Sequence, residues 1–424
     1  MKKNIIMKLV KYILLVIGGW IIGTLLIMGV YALPVEKMRD NAQRSLVSFE
    51  GPDSQVIAGY KATRMDNYTT VLMINTAVYD SSETLLVQAM KGQRYHKEGQ
   101  TDYEDGIELL QGEEGTTNLT YERYWNGWLV VLKPLLLFFK YSDIQFICFG
   151  VSLLGLIFIC IEIVYNGLQK YLIPFISGNV VIMPLTVSMC IDYCLVYYIM
   201  LSTCYIILRT NRKQTYSIEK ENFIFLLSGM MTSYVDFLTY PLVTLGFLLI
   251  FCCLISNDDH IVRKLLLKTL LWGVGYLGMW LGKWFLASIV LKENIVKEAI
   301  LQILFRVSND VSDIGIIENV NCYDALARNL SVLTEPGIVV INFILIVAVL
   351  ARRVKHTNEK ATGKILFSLF LIGCLPFLWI TIVVNHSYVH YWMVYRILGI
   401  SFFAWESVIA GCFRPKKIFL FNKS

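Results

Sequence analysis

The opening stretch MKKNIIMKLVKYILLVIGGWIIGTLLIMGVYAL, residues 1–33, decides the fold class. Four lysines, Lys2, Lys3, Lys8 and Lys11, precede a long run that holds no charge at all. The run exceeds the 7–15 residues of a secretory h-region and lacks a clear small-residue cleavage site. It is long enough to cross the roughly 30 Å hydrocarbon core as a helix. The expectation is a retained first span rather than a cleavable leader.

Comparable runs recur along the whole 424-residue chain, which is 56% hydrophobic, 17% charged and has a mean hydropathy of +0.57. Soluble domains carry about 25% charged residues. The pattern predicts an all-α polytopic membrane protein with about ten transmembrane helices, near 10–33, 143–166, 171–187, 190–208, 222–239, 241–256, 265–290, 334–351, 364–384 and 393–412. The net charge of +6 sits in short clusters between these runs, which marks topology rather than nucleic-acid binding. Nine of the ten cysteines fall inside apolar runs and only Cys322 in a connecting loop, so no disulfide framework is expected.

The basic clusters fall at every second junction. They precede the first run, follow the fourth (Arg209, Arg212, Lys213), precede the seventh (Arg263, Lys264), follow the eighth (Arg352, Arg353, Lys355) and follow the tenth (Arg414, Lys416, Lys417). By the positive-inside rule both termini are cytoplasmic. A long first loop, residues 34–127, and a second, residues 291–332, then lie outside the membrane within one transmembrane domain of residues 1–424. In the first loop, VEKMRDNAQRSLVSF (residues 35–49) and MDNYTTVLMINTAVY (residues 65–79) place apolar residues at three-to-four spacing, which predicts amphipathic helices lying on the bilayer. Residues 80–122 are polar and glycine-rich and read as loop. The sequons at Asn67, Asn118 and Asn329 carry little weight, because the pattern is common by chance.

Ionisable groups inside a membrane are costly and so draw functional hypotheses. Here most sit at one depth, toward the external face: Asp192, Asp236, Lys283 and Arg396, with His386 and His390 just above Arg396. Glu162 and Glu406 lie deeper or toward the cytoplasm. Each also has a plainer reading. Lys283 and Arg396 can snorkel to headgroups. Asp236 can pair structurally with Lys283. The histidines of HSYVHYW can be interfacial belt residues, and their i, i+4 spacing lacks a third metal ligand. Thr63-x-x-Asp66 resembles a capping box, and an acid in a first helical turn is favoured by the helix dipole. No Walker loop, dinucleotide fingerprint, HExxH or nucleophile elbow is present, so an enzymatic substrate would have to arrive from the lipid.

The order of elements resembles the GT-C superfamily of membrane glycosyltransferases: a cytoplasmic N-terminus, one helix, then a large external loop with a catalytic acid soon after it. RMDNY, residues 64–68, stands where that acid falls. RYWNGWLVVLKPLLLFFKYSDI and HSYVHYWMVYRI further resemble segments of multi-pass proteins encoded among bacterial surface-polysaccharide genes. The chain lacks a paired acid beside Asp66, a WWDYG-type motif and a soluble C-terminal domain, which leaves the acceptor and any divalent metal open. The resemblance implies a bacterial plasma-membrane enzyme that takes a sugar from a polyprenyl-phosphate donor to an envelope glycan, lipid or polymer acceptor, with inversion. In that reading Asp66 is the general base, with Arg64 near it. Lys283 and Arg396 stabilise the leaving phosphate. Asn75, Asp236, His386 and His390 line the sugar pocket, and Tyr124, Trp125 and Trp128 offer flat faces to sugar rings or the prenyl chain. Three rivals stand beside it: a lipid-linked polysaccharide polymerase, a flippase or transporter of lipid-linked glycans, and a non-catalytic scaffold of an envelope complex.

Overall fold

The computed structural model describes residues 2–113, 115–215, 217–256, 260–315, 319–351, 353–354, 363–412 and 414–415. The basic positions Arg352, Lys355, Lys416 and Lys417 lie outside the described residues. The fold is almost wholly helical. α1 (Lys2–Tyr31) is followed by α2 (Val35–Gln43), α3 (Asn67–Val78), α4 (Leu85–Lys91), α5 (Asp102–Leu110) and α6 (Leu129–Leu136). Then come α7 (Tyr141–Tyr165), α8 (Leu172–Ile182), α9 (Pro184–Val187), α10 (Ile191–Arg212), α11 (Ile218–Val235), α12 (Val243–Ile255) and α13 (Ile261–Leu291). The chain continues through α14 (Ile295–Arg306), α15 (Cys322–Leu333), α16 (Pro336–Ala351), α17 (Gly363–Ile382), α18 (Val384–Val389), α19 (Tyr391–Val394) and α20 (Gly399–Gly411).

Among the described residues, six helical segments are long and apolar enough to cross a membrane, and seven if α15 and α16, bent by 77° at their junction, are one span. Their exposed faces are apolar, as lipid contact requires: Ile13, Leu14, Ile21, Ile22 and Leu25 on α1, and Phe146, Leu153, Leu154 and Phe158 on α7. The remaining expected spans differ for local reasons. Residues 171–187 divide at Met183 (φ 61°), because Pro184 has no amide hydrogen to continue the helix and disfavours α geometry before it. α11 stops at Val235, and Asp236 takes extended backbone as its C-cap, five residues before Pro241. α12 has only 13 residues and is buried from Val243 to Cys253, so it lies in the centre rather than against lipid.

Glycines bring the helices together where the sequence allows close approach. A side chain at Gly229 on α11 would lie 2.1 Å from the Trp272 carbonyl, and one at Gly275 on α13 would lie 2.2 Å from the Leu226 carbonyl. This small-residue contact is the packing device of membrane helices. α1 joins the same pair through Trp20 Nε1, which donates to the Gly278 carbonyl (2.9 Å), and through Tyr234, whose hydroxyl donates to the Gly23 carbonyl (2.8 Å).

Residues 34–127 are more structured than their composition predicts. α3 is not a helix resting on the bilayer: Asn67 and every residue from Thr70 to Val78 are buried, packed by α2, α5 and α6. The stretch read as loop holds α4, α5 and an antiparallel hairpin, β1 (Arg94–His96) with β2 (Thr117–Leu119). α5 starts with a capping box, Thr101 accepting from the Glu104 amide while the Glu104 carboxylate accepts from the Thr101 amide. Asn67 and Asn329 of the sequons are buried and hydrogen-bonded, so neither is placed for glycosylation.

Candidate functional site

Asp66 is the N-cap of α3. Its carboxylate accepts from the Thr69 amide (3.1 Å) and the Thr69 hydroxyl (2.7 Å), which is the cap that the sequence spacing allows. It is 3% exposed. Burial pushes its acidity down, raising the pKa above the ordinary carboxylate range, while the Thr69 bonds and the Arg64 charge pull the other way. Its own amide donates to Cys190 Sγ (3.3 Å), the residue that caps α10. The N-termini of α3 and α10 therefore meet, and Asp192 in the first turn of α10 shares that junction.

Asp192 is fully buried, and neither of its carboxylate oxygens has a hydrogen-bond partner. It feels the negative charges of Asp66 and Asp236 and the positive charge of Arg396. Arg396, in the 3-10 turn Tyr395–Leu398 that opens α20, is also fully buried. One guanidinium nitrogen donates to the Trp392 carbonyl, while Nε and Nη2 have no partner. Its face lies 4.4 Å from the ring centroid of Tyr193 and 4.9 Å from that of Tyr395. A buried charge left unpaired costs several kcal/mol. Here unpaired donors and unpaired acceptors occupy one electrostatic neighbourhood, a concentration that ordinary cores avoid.

The surroundings are polar in the same way. Asp236 accepts from the Thr239 amide (2.9 Å) and hydroxyl, and its second oxygen is unpartnered. His386 Nε2 lies 2.7 Å from the Leu238 carbonyl, which fixes the proton on that nitrogen, and Nδ1 is unpartnered. Its ring stands 4.8 Å from that of His390. Burial and the Arg306 charge drive the His386 pKa down to about 3, and His390 is likewise held well below its ordinary value, so both are neutral. Arg64 stacks 3.8 Å over the Trp392 ring and pairs with Asp53. The turn before Asp66 is tied to the far helices: Glu335 accepts from the Lys61 and Ala62 amides, and the Tyr395 hydroxyl donates to the Ala62 carbonyl (3.0 Å). Tyr124 is packed against Phe237 and Trp280 and feels the Asp236 charge, and Trp128 packs at a tilt against Phe237 with its indole nitrogen unpartnered.

So Asp66, Arg64, Asp236, His386, His390 and Arg396 gather at one end of the bundle, bordered by Tyr124 and Trp128. Three other residues expected at the site are engaged elsewhere. Lys283 does not meet Asp236; its amine donates to the Ala89 (2.9 Å) and Met90 (3.0 Å) carbonyls and so clamps the C-terminal turn of α4 onto α13. Asn75 exchanges two 2.9 Å bonds with the Tyr95 backbone and pins β1 to α3. Trp125 donates to the Met279 carbonyl (2.7 Å) and packs on Tyr234. Conversely Cys190, Asp192, Tyr193 and Tyr240 join the cluster. Asp192 was legible as an acid inside an apolar run, but its partnership with Asp66 spans 126 positions and has no local signal. No group of three or more His, Cys, Asp or Glu side chains is placed to hold a metal ion among the described residues, so no step is assigned to one.

No protein-family profile, curated protein or solved structure matches the chain. The chemistry of the site therefore rests on its own geometry.

Proposed function

We propose that the protein is an inverting glycosyltransferase that moves a sugar from a polyprenyl-phosphate donor to an envelope glycan, lipid or polymer acceptor on the extracytoplasmic face of a bacterial plasma membrane. The cytoplasmic placement of the termini and the likeness to the GT-C superfamily belong to the same proposal. One observation carries it: Arg396, buried with two unpartnered N–H donors, shares a neighbourhood with the buried carboxylates of Asp66 and Asp192. Those donors suit a phosphate oxygen, since guanidinium groups bind phosphate with directed bonds.

In this reading Asp66 takes the proton from the acceptor hydroxyl as that oxygen attacks the anomeric carbon. The bond to the lipid phosphate breaks, and the developing charge falls to Arg396. Its raised pKa makes Asp66 a stronger base than an exposed aspartate. The neutral histidines offer hydrogen bonds to sugar hydroxyls without adding charge. Asp66 is too buried to meet an acceptor without a local opening.

The test is transfer from radiolabelled polyprenyl-phosphate sugars in membranes carrying the wild type or Asp66→Asn. Labelling of a lipid or polymer that disappears in the variant supports the proposal. No labelling from any donor, with Asp66→Asn cells still defective in envelope assembly, moves the reading to a flippase, for which Glu406 is a second anchor: it is bonded to Ser177, which also donates to Asn342.

A further inference from the structure

Where α1 ends, a cavity of 440 Å³ opens between Tyr31 and the turn Leu33–Glu36 on one side and Tyr79, Asp80, Ser81 and Gln88 on the other. That volume lies within the range of about 300–1,000 Å³ typical of small-molecule sites. Its lining carries two phenols, two carboxylates, a hydroxyl and an amide, and no lysine or arginine. Asp80 feels the charge of the nearby Lys133, but neither it nor Glu36 forms a direct ion pair among the described residues. A phosphate or other anionic headgroup is disfavoured by that charge.

Tyr31 supplies an independent observation. It lines the cavity, is 8% exposed, and its hydroxyl has no hydrogen-bond partner. The amine of Lys133, 5.2 Å from the Tyr31 ring centroid, does not serve it, since that amine donates to the Ala77 carbonyl (2.6 Å). An unpaired buried hydroxyl is unfavourable by about 1–3 kcal/mol. A ligand rich in hydroxyls removes that deficit.

The cavity and Asp66 lie at opposite ends of α3. Its 12 residues place them about 18 Å apart at 1.5 Å rise per residue. A ligand here therefore cannot be the sugar undergoing transfer.

We propose that this cavity is a saccharide subsite. It holds a neutral or amino sugar of the acceptor chain, with vicinal hydroxyls on Asp80 and Glu36 and a ring face against tyrosine, while the reacting end of that chain reaches Asp66. The inference rests on the glycosyltransferase reading for its role, but the binding itself is tested apart from transfer.

Saturation-transfer NMR on the purified full chain in detergent, with glucose, galactose, rhamnose, N-acetylglucosamine and glucosamine as probes, reads it directly. At least one sugar should receive saturation. Tyr31→Phe and Asp80→Asn, each retaining the fold, should weaken that binding about tenfold, and Asp66→Asn should not. The proposal is overturned if no sugar is saturated, if both cavity variants bind like the wild type, or if calcium alone shifts the tyrosine signals. Sugar binding that persists in a chain with no transfer from any donor would strike the Asp66 reading and leave the saccharide site standing. Where transfer is measurable, Asp80→Asn should raise KM for a polymeric acceptor at unchanged kcat.

Discussion

Two explanations compete for Asp66, helix cap and catalytic base, and a pair of substitutions separates them. Asparagine caps a helix about as well as aspartate, while alanine does not cap, at a loss of about 0.5–2 kcal/mol. In Asp66→Asn one side-chain oxygen still accepts from the Thr69 amide, and the new amide can donate to the Thr69 hydroxyl, which reverses its role. The substitution also removes one of the negative charges that Asp192 feels. Stability should therefore hold or rise slightly. Asp66→Ala loses both bonds and should lower the melting temperature by a few degrees, since 1 kcal/mol corresponds to about 2–4 °C or less in a chain of this size.

Catalysis orders the variants differently. A general base contributes roughly 10²–10⁴-fold, so both variants should lose at least about a hundredfold in transfer. The wild-type rate should also fall with acidification at a pH above the ordinary aspartate pKa of about 3.9, because burial raises that of Asp66 and the base must be unprotonated. Thermal unfolding in detergent and sugar transfer in membranes supply the two readouts. If Asp66→Asn transfers within a few-fold of the wild type, Asp66 is a cap and no base. If the two variants lose stability equally, the capping geometry is misjudged.

Arg396→Lys keeps the charge but loses the planar stack on Tyr193 and Tyr395; transfer should fall about 10²-fold with little change in folded yield, and a rate near wild type would remove the guanidinium from the mechanism. His386 has a folded pKa of about 3, below its unfolded value near 6.5, so its contribution to stability is present above pH 6.5 and is lost as pH falls toward 3; melting scans from pH 6.5 to 5.5 should show a loss of about 1 kcal/mol that His386→Gln removes. Lys283→Met should release α4 from α13 and lower the melting temperature, while transfer per folded molecule stays unchanged; a selective loss of transfer would return Lys283 to the site. Gly229→Val should destabilise by about 1–3 kcal/mol or prevent folding, because its side chain meets the Trp272 backbone rather than a movable side chain.

The membrane character was legible because a long uncharged run has few other uses, and Asp192, Asp236 and Arg396, which prove to be electrostatic neighbours, were legible as candidates because charge in a span is rare. Residues 80–122 were less legible. Thr101 and Glu104 stand at capping-box spacing, yet α5 is short and acidic, and β1 and β2 pair across 20 intervening residues, so composition outweighed the local signals. α3 shows a subtler failure. Its threonines and asparagines read as a wet face, but Asn67 binds the Gly51 carbonyl, Asn75 binds the Tyr95 backbone and Thr76 binds the Leu72 carbonyl, so the polar face is consumed by partners and buried.

Lys283 and Arg396 draw the same lesson into the site itself. Both are fully buried cations near one end of the bundle, and the sequence assigns them one role. What separates them is the partner account. Lys283 meets two main-chain carbonyls at the end of a helix, where a cation is structurally useful and chemically occupied. Arg396 meets one carbonyl and two aromatic faces, and keeps two donors unpaired beside carboxylates that are themselves under-satisfied. A group whose bonds are complete can hold a fold; a group buried with its bonds incomplete is stabilised when a ligand of the right charge completes them. Depth in the sequence's apolar runs nominates both cations, and only the unpaired donors of Arg396 mark it as the contact for the leaving phosphate of the proposed transfer.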